Sequence, residues 1–290
     1  MGDTIRWGVL GAAKFARDYM ARAIHAAEGA TLAALATSDP AKAAPFAAFA
    51  PGLRVHRGYD ALLADPDVDA VYIPLPNHLH VEWTKKAIAA GKHVLCEKPL
   101  CLKAAEFDAL IALRDQSGVQ VAEAFMIVHH PQWQRARALL AEGAIGRLVH
   151  VHAAFTYDNA SDPGNIRNQA EMGGGSVPDI GVYTMGSTRF VTGEEPTRVS
   201  SKITREDALE VTAVVDADFP GFTYTSYTSM RMNPFQEVVF HGTEGVMRLD
   251  APFNAGTYGE ARIELRQGER TIRVEKFSAD LQYVLQVRNF

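Results

Sequence analysis

The sequence has few of the features that mark secreted, membrane-spanning or nucleic-acid-binding proteins. Its two cysteines, Cys96 and Cys101, are too few for a disulfide framework, so a reducing cytoplasm is the expected compartment. No apolar run reaches the roughly 18 residues that a transmembrane helix needs, and the N-terminus lacks the long apolar segment of a signal peptide. The 29 basic and 34 acidic residues include no long run of Lys or Arg, so neither a membrane nor a nucleic acid is the expected partner.

Clusters of metal-ligating residues are also scarce. His78 and His80 stand two apart and His129 and His130 are adjacent, but a zinc site needs three or four ligands. Because no further Cys, His or Asp residues have ligand spacing, we expect no metal.

The 290 residues are enough for about two domains. In the first half, short apolar runs alternate with Ala-rich helical stretches, as in the predicted strand Ile5–Leu10 and the predicted helix Lys14–Ala27. This alternation predicts an α/β domain over residues 1–123, a Rossmann-type doubly wound parallel sheet with helices on both faces. The second half, residues 124–290, has mostly strand patterns joined by short turns. It predicts an α+β domain with a large open, mainly antiparallel sheet.

The first strand is followed by a turn of small residues. A dinucleotide-binding turn needs a Gly for the tight bend, a small residue where the backbone approaches the pyrophosphate, and another for helix packing. Gly11, Ala13 and Ala16 hold these positions, although the second is Ala rather than Gly. The alternative is an ordinary turn of an α/β protein. The turn residues predicted to bind the cofactor are Gly11, Ala13, Lys14 and Phe15.

The end of the second predicted strand bears on the choice between NADP and NAD. An acidic residue there would bind the ribose 2′-hydroxyl of NAD and repel the 2′-phosphate of NADP. Thr37 and Ser38 are neutral donors and Lys42 can reach a phosphate, which favours NADP. Asp39 argues for NAD if it turns inward, whereas Asp-Pro is typical of a helix start. NAD therefore stays open.

Four motifs carry a resemblance to a known family. They are Pro76-Asn77-His78-Leu79-His80, Glu97-Lys98-Pro99, Glu123-Ala124-Phe125-Met126 and Gly173-Gly174-Gly175 followed by Asp179-Ile180-Gly181-Val182-Tyr183. The set resembles the glucose–fructose oxidoreductase/inositol dehydrogenase/MocA family over essentially the whole chain. Tyr183 stands where inositol dehydrogenases often have His. This is similar to the branch of NADP-dependent D-xylose dehydrogenases and dimeric trans-dihydrodiol dehydrogenases.

The resemblance implies an oxidoreductase that moves a hydride between a nicotinamide and a hydroxyl-bearing carbon. It implies Tyr183 as general acid/base, with the ammonium of Lys98 lowering a phenol pKa that is ordinarily near 10. Asp179, one helical turn before Tyr183, is implied at the site too, although Ser176 and Asp179 also have capping-box spacing. Further cofactor contacts are implied for Pro74, Asn77, His80, Glu97 and Lys98, and substrate contacts for Asn165, Arg167, Asp179 and Tyr183.

The expected substrate is a small sugar, polyol or diol, most simply an aldose of the D-xylose type oxidised at C1. Oxidation of an aromatic trans-dihydrodiol is an alternative that an aromatic pocket wall would favour. A non-catalytic dinucleotide sensor is a third, but a sensor should lack the Lys98 and Tyr183 pair.

The family usually pairs through the C-terminal sheet, which implies a homodimer or a dimer of dimers. Family members also usually run some 40 residues beyond a stretch like Tyr283 to Phe290, so the resemblance implies a truncated C-terminus here.

Overall fold

A computed structural model describes residues 4–278 and 282–290. The chain divides into two compact units. One comprises the chain up to Met126 together with Tyr283–Phe290, and the other is Ile127–Gln282. Among the described residues, no helix combines the length and apolarity needed to cross a membrane.

The first unit is built on a six-stranded, wholly parallel sheet in the order β3-β2-β1-β4-β5-β6. Helices cover both faces of the sheet, so its middle is buried, and all four residues of the central strand β4 are buried. The strands are β1 (Ile5–Leu10), β2 (Ala30–Ala36), β3 (Arg54–His56), β4 (Ala70–Ile73), β5 (His93–Glu97) and β6 (Val121–Ala124). The predicted doubly wound sheet is confirmed.

Five α-helices of this unit lie between the strands. They are α1 (Ala21–Ala26), α2 (Ala44–Ala47), α3 (Tyr59–Leu63), α4 (His80–Ala89) and α5 (Ala104–Ser117). Ile24 and Phe46 belong to one core cluster, whereas Leu62 and Ile88 belong to a second. The two clusters represent the two faces of the sheet, as a doubly wound fold requires.

Strand β3 is the element that the apolar pattern does not predict. It has three residues, two of them exposed, and it lies at the sheet edge beside β2. An edge strand this short shows no apolar run, so only pairing with β2 defines it. The long first helix predicted over Lys14–Ala27 also differs, because a π-helical segment, Ala16–Met20, precedes α1.

The second unit contains an eight-stranded sheet in the order β14-β13-β12-β11-β7-β10-β9-β8. Only β7 and β10 pair in parallel; every other neighbouring pair is antiparallel. This confirms the predicted large, mainly antiparallel sheet. The strands are β7 (Leu148–Asp158), β8 (Arg198–Glu206), β9 (Leu209–Phe219), β10 (Phe222–Ser229), β11 (Arg231–Gly242), β12 (Val246–Asp250), β13 (Ala261–Gln267) and β14 (Arg270–Phe277).

Helices α6 (Pro131–Ala141) and α7 (Val182–Thr192) pack on this second unit. The buried Trp133 of α6 donates its indole N–H to the Pro252 carbonyl at 2.7 Å and stacks on Phe253. Helix α7 follows a π-helical turn, Val177–Gly181, and the two together carry the polar residues of the candidate site.

The last helix, α8 (Gln282–Asn289), differs in its grouping from the predicted division of the chain. From Tyr283 onward it belongs to the first unit, where Phe290 packs on Trp7 with ring centroids 5.0 Å apart. Tyr283 meets Phe15 edge-on at 5.6 Å. The apolar side chains of α8 complete a core whose other members, such as Trp7 and Met20, lie some 270 residues earlier in the sequence. Proximity in sequence does not reveal such a contact.

Candidate active site

The turn after β1 has the geometry of a dinucleotide-binding turn. Gly11 has a φ of +106°, which side-chain-bearing residues rarely adopt, and its N–H donates to the Ala36 carbonyl at 3.0 Å. A Cβ there would stand 3.2 Å from the Leu75 side chain and 3.4 Å from the Tyr59 hydroxyl. Ala13 and Phe15 are half-buried and Lys14 is exposed at the start of the helix. The turn thus fits a pyrophosphate close to its backbone.

Two neutral residues, Thr37 and Ser38, directly follow β2, and the first acidic side chain comes after them at Asp39. The Asp39 carboxylate accepts the Ala41 N–H at 2.9 Å and so caps the short turn of helix that follows. The Thr37 hydroxyl is buried and bonded to the backbone of Asp39 at 3.2 Å. Ser38 and Lys42 are exposed. Of the two roles considered for Asp39, a ribose contact and a helix start, the structure shows the helix start.

The ends of β4 and β5 are joined by hydrogen bonds around Lys98. Tyr72 is fully buried, which raises its phenol pKa and keeps it a donor, and it donates to Glu97 Oε1 at 2.6 Å. The other oxygen of Glu97 accepts the backbone N–H of Lys98 at 3.2 Å. Glu97 therefore braces the peptide of Lys98, whose bond to Pro99 is cis. Pro74 and Asn77 are half-buried in the neighbouring loop.

His80 occupies a different position from the one expected for a cofactor contact. Its side chain is 0% exposed. Its Nδ1 lies 2.7 Å from the Pro99 carbonyl and its Nε2 lies 2.8 Å from the Leu75 carbonyl. The ring therefore has no surface to offer a ligand, and it ties the loop after β4 to the loop that carries Lys98.

In the second unit, Tyr183 lies in an aromatic setting at the start of α7. It is 7% exposed, and its ring lies 5.9 Å from Phe155 and 5.5 Å from Phe253, centroid to centroid. Tyr258 in turn meets Phe155 edge-on at 5.6 Å. Phe253 and Tyr258 are not expected at the site from the sequence, because they follow β12, far along the chain from Tyr183.

Asp179 is the centre of a polar cluster on the same helical segment. Arg167 Nε lies 2.9 Å from Asp179 Oδ1, and the Tyr157 hydroxyl donates to Asp179 Oδ2 at 2.6 Å. Burial and the Asp179 carboxylate raise the pKa of Tyr157, so it stays a neutral donor. The Arg167 pKa is raised chiefly by the charge of Asp179, with a contribution from Tyr183. Asp179, Arg167, Tyr157 and Tyr183 are thus brought together.

The capping alternative for Asp179 is not what the structure shows. Glu210, from β9, accepts the Val177 N–H at 2.7 Å and the Ser176 hydroxyl at 2.5 Å. An anion at this helix start is favourable because the first N–H groups of a helix lack intrahelical partners. Glu210 therefore does the capping, and both oxygens of Asp179 point to other partners.

The glycine run explains how Arg167 reaches Asp179. A Cβ on Gly174 would lie 2.5 Å from the Arg167 carbonyl and 2.7 Å from the Gln169 carbonyl. Only glycine lets these segments touch, and Gly175 donates its N–H to the Arg167 carbonyl at 3.0 Å. Asn165 has a local role here, since its Oδ1 accepts the Arg167 N–H at 3.1 Å.

Comparison with known proteins identifies the family. The pattern of the oxidoreductase family with an NAD-binding Rossmann fold matches residues 5–125, and the GFO/IDH/MocA C-terminal domain matches residues 133–248. The chain belongs to the GFO/IDH/MocA family. It is therefore an oxidoreductase, and the predicted resemblance is confirmed.

Three similar proteins illustrate the family's range. An uncharacterised oxidoreductase of Rhizobium meliloti is 37% identical over 99% of this chain and 88% of its own. The D-xylose 1-dehydrogenase (NADP(+)) 2 of Haloferax volcanii is 33% identical over 98% of this chain and 87% of its own. The crystal structure of a 3-ketoreductase from Actinomadura kijaniata, in complex with NADP and TDP-benzene, matches with a TM-score of 0.89 and 30% identity, covering 99% of this chain and 88% of that one.

Proposed function

We propose that this protein is an NADP-dependent oxidoreductase acting on a hydroxyl-bearing carbon of a sugar, with Tyr183 and Lys98 as its acid–base pair. The observation that carries this function is the cluster around Tyr183. A phenol that is 7% exposed lies one helical turn from a carboxylate already held by Arg167 and Tyr157. Such a cluster offers a proton-transfer group and fixed polar partners for the hydroxyls of a sugar.

Each residue has a separate role. Tyr183 takes the hydroxyl proton in oxidation and returns it in reduction, and the ammonium of Lys98 favours the phenolate it needs. Asp179 and Arg167 hold substrate hydroxyls. The bound nicotinamide supplies the hydride acceptor or donor. The pyrophosphate is bordered by Gly11, Ala13, Lys14 and Phe15. Glu97 positions Lys98. The residues that lie towards the adenine ribose are Thr37, Ser38 and Lys42.

Two sugar reactions are compatible with this cluster. A D-xylose-type dehydrogenase would oxidise C1 of a cyclic aldose, as the name of the Haloferax volcanii relative says of that protein. A ketoreductase would run the same chemistry in reverse on a nucleotide-linked keto-sugar, as the name dTDP-3,4-didehydro-2,6-dideoxy-alpha-D-glucose 3-reductase says of a relative from Actinomadura kijaniata. We favour the aldose reaction because Asp179 and Arg167, an ion pair one helical turn from Tyr183, offer hydrogen-bonding groups that suit the hydroxyls of an uncharged sugar.

A substrate panel followed by NADPH absorbance tests the proposed function. D-xylose and other aldoses with NADP should give lactone and NADPH, whereas TDP-linked keto-sugars with NADPH test the reverse reaction. Aromatic trans-dihydrodiols test the alternative favoured by the rings of Phe155 and Phe253. Tyr183→Phe and Lys98→Met should each remove turnover while cofactor binding and the thermal midpoint are retained. Unchanged turnover in both variants would refute the acid–base pair, and a complete lack of turnover on the panel with intact cofactor binding would favour a sensor.

We also propose a homodimer or a dimer of dimers through the eight-stranded sheet. Its strands carry exposed apolar side chains, among them Val199, Val214, Ile272 and Val274. Light scattering at micromolar concentration should give at least twice the mass of one chain. A monomer would count against this assembly.

A further inference from the structure

The edge strand β3 brings an arginine beside the end of β2. The two strands run parallel with Ala36 paired to His56, and the Thr37 N–H donates to the His56 carbonyl at 3.0 Å. Pairing therefore continues one residue beyond the end of β2. Arg57 follows His56 directly and stands opposite Thr37 in this register. The chain then turns away at Gly58, whose φ is +116°.

This edge of the sheet is where a bound dinucleotide places its adenine ribose. In a doubly wound sheet, ligands bind outside the carboxyl ends of the strands, and the residues after β2 meet the ribose. Arg57 lies after the carboxyl end of the neighbouring strand. It thus reaches the same edge from a part of the chain some 20 residues away from Thr37 and Ser38.

The charges at this edge favour an anion. Arg57 is exposed, and its guanidinium makes no hydrogen bond or ion pair with any residue in the described part of the chain, residues 4–278 and 282–290. Arg54, on the same strand, is instead held by Asp65 at 2.9 Å. Lys42 is also exposed at the end of the β2 loop.

Two acidic side chains near this edge, Asp39 and Asp60, have interactions elsewhere. The Asp39 carboxylate caps the backbone of Ala41. Asp60, in the first turn of α3, adds to the effect of Glu82 in raising the pKa of Lys86 on α4. Two cations, Arg57 and Lys42, therefore border the ribose edge, and the acidic residue expected for an NAD-specific site is absent from its position at the end of β2.

On the basis of the NADP preference proposed above, we infer that Arg57 is the residue that selects NADP over NAD, by binding the 2′-phosphate of the adenine ribose together with Lys42. A guanidinium offers two parallel donors to a phosphate, and hydrogen bonds to charged groups are the strong ones. The specificity of this chain thus comes from the end of β3 as well as from the loop after β2. The residues of that loop alone do not reveal the contribution of Arg57.

Direct binding measurements test this assignment independently of turnover. Calorimetry would compare four probes on the wild type and on Arg57→Gln: NADP, NAD, 2′,5′-ADP and 5′-AMP. The variant should bind NADP and 2′,5′-ADP about tenfold more weakly, because a lost charged hydrogen bond of roughly 1.5 kcal/mol is about tenfold in Kd. NAD and 5′-AMP should bind as before, within about twofold. Arg57→Lys should recover part of the loss.

A matched control separates a specific contact from a general change of net charge. Arg205 is an exposed arginine on β8 of the second unit, so Arg205→Gln makes the same charge change and should alter none of the four affinities. Equal weakening of NADP and NAD by Arg57→Gln, or no weakening of either, would overturn the assignment. If the wild type binds NAD as tightly as NADP, both the assignment and the proposed cofactor preference fail. If the wild type prefers NADP and the variant keeps that preference, only the assignment fails.

Discussion

Opposite charges flank the proposed catalytic phenol, so removing each should move the pH dependence of turnover in opposite directions. Oxidation needs the phenolate of Tyr183, and its rate therefore falls on the acid side of an apparent pKa. The Arg167 guanidinium favours the phenolate and the Asp179 carboxylate disfavours it. Arg167→Gln should move the acid limb to higher pH, and Asp179→Asn should move it to lower pH.

The size of each shift follows from spacing and exposure. Residues four apart on a helix have Cβ atoms about 5–6 Å apart. A unit charge about 6 Å away, at an effective dielectric constant of about 20 to 40, contributes about 1.4 to 2.8 kcal/mol, or about one to two pH units. This range applies to Asp179, whose side chain is 10% exposed. The Arg167 side chain is 41% exposed, so solvent screening should reduce its effect to about one unit or less.

The assay is the pH dependence of kcat/KM for oxidation, measured from about pH 6 to about pH 10 on the wild type and both variants. Tyr157 is not expected to titrate in this range, because burial and Asp179 raise its pKa. Tyr157→Phe is the control: it removes one hydrogen bond to Asp179 but no charge, so its acid limb should stay closer to the wild type than either charge variant does. Shifts of the same sign for Arg167→Gln and Asp179→Asn, or no shift in either, would refute an electrostatic role for the pair.

Three further perturbations test the supporting structure. His80→Leu should lower the free energy of unfolding by about 1–3 kcal/mol, measured by urea denaturation, because burial lowers the His80 pKa and keeps the ring neutral, and the variant removes the one N–H that this ring donates to a buried carbonyl, that of Leu75 or Pro99; a change under about 0.5 kcal/mol would contradict the bracing role. Gly174→Ala should lower kcat/KM at least about tenfold, because its added Cβ would lie 2.5 Å from the Arg167 carbonyl and displace that backbone. Gly164→Ala is the control and should leave kcat/KM unchanged, because its added Cβ meets only an atom at 4.0 Å. Equal effects of the two substitutions would show that Gly174 does not hold Arg167 in place. His130 Nδ1 accepts the Gln132 N–H at 3.1 Å. Burial lowers the pKa of His130 in the folded protein. As the pH falls below about 6.5, the unfolded chain therefore takes up a proton before the folded chain does, and the free energy of unfolding declines. His130→Ala should cost about 1 kcal/mol near pH 7.5 and show a smaller loss between about pH 7.5 and about pH 5.5; an unchanged pH dependence would assign it to other groups.

Local signals predicted most of the fold. The β–α alternation predicted the parallel sheet, because strands buried on both faces leave continuous apolar runs separated by amphipathic helices. Short turns between strands predicted the mainly antiparallel sheet. Strand β3 escaped prediction because its residues Arg54–His56 are largely exposed, and only the pairing with β2 makes them a strand.

Candidate site residues were harder to sort by role. The Pro-Asn-x-x-His motif marks His80, but the motif cannot say whether the ring faces a ligand or is caged between two backbone carbonyls. Asn165 and Arg167 were both expected to contact the substrate. Asn165 instead accepts the N–H of Arg167, whereas the Arg167 guanidinium pairs with Asp179. Tyr157 could have been expected near Tyr183, since it lies two residues from Phe155 along β7 and so shares its face of the sheet.

By itself the sequence determined the two-domain class, the dinucleotide-binding turn at Gly11, and the family motifs around Lys98 and Tyr183. These depend on residues within a few positions of one another, where backbone preference and periodicity act directly. Only the tertiary structure decided that Glu210 caps the helix of Asp179, that Arg57 follows β3 beside the end of β2, and that α8 groups with the first unit. Each of these contacts joins segments about 20 to 280 residues apart, and the packing of whole strands and helices, rather than local preference, sets which side chains meet.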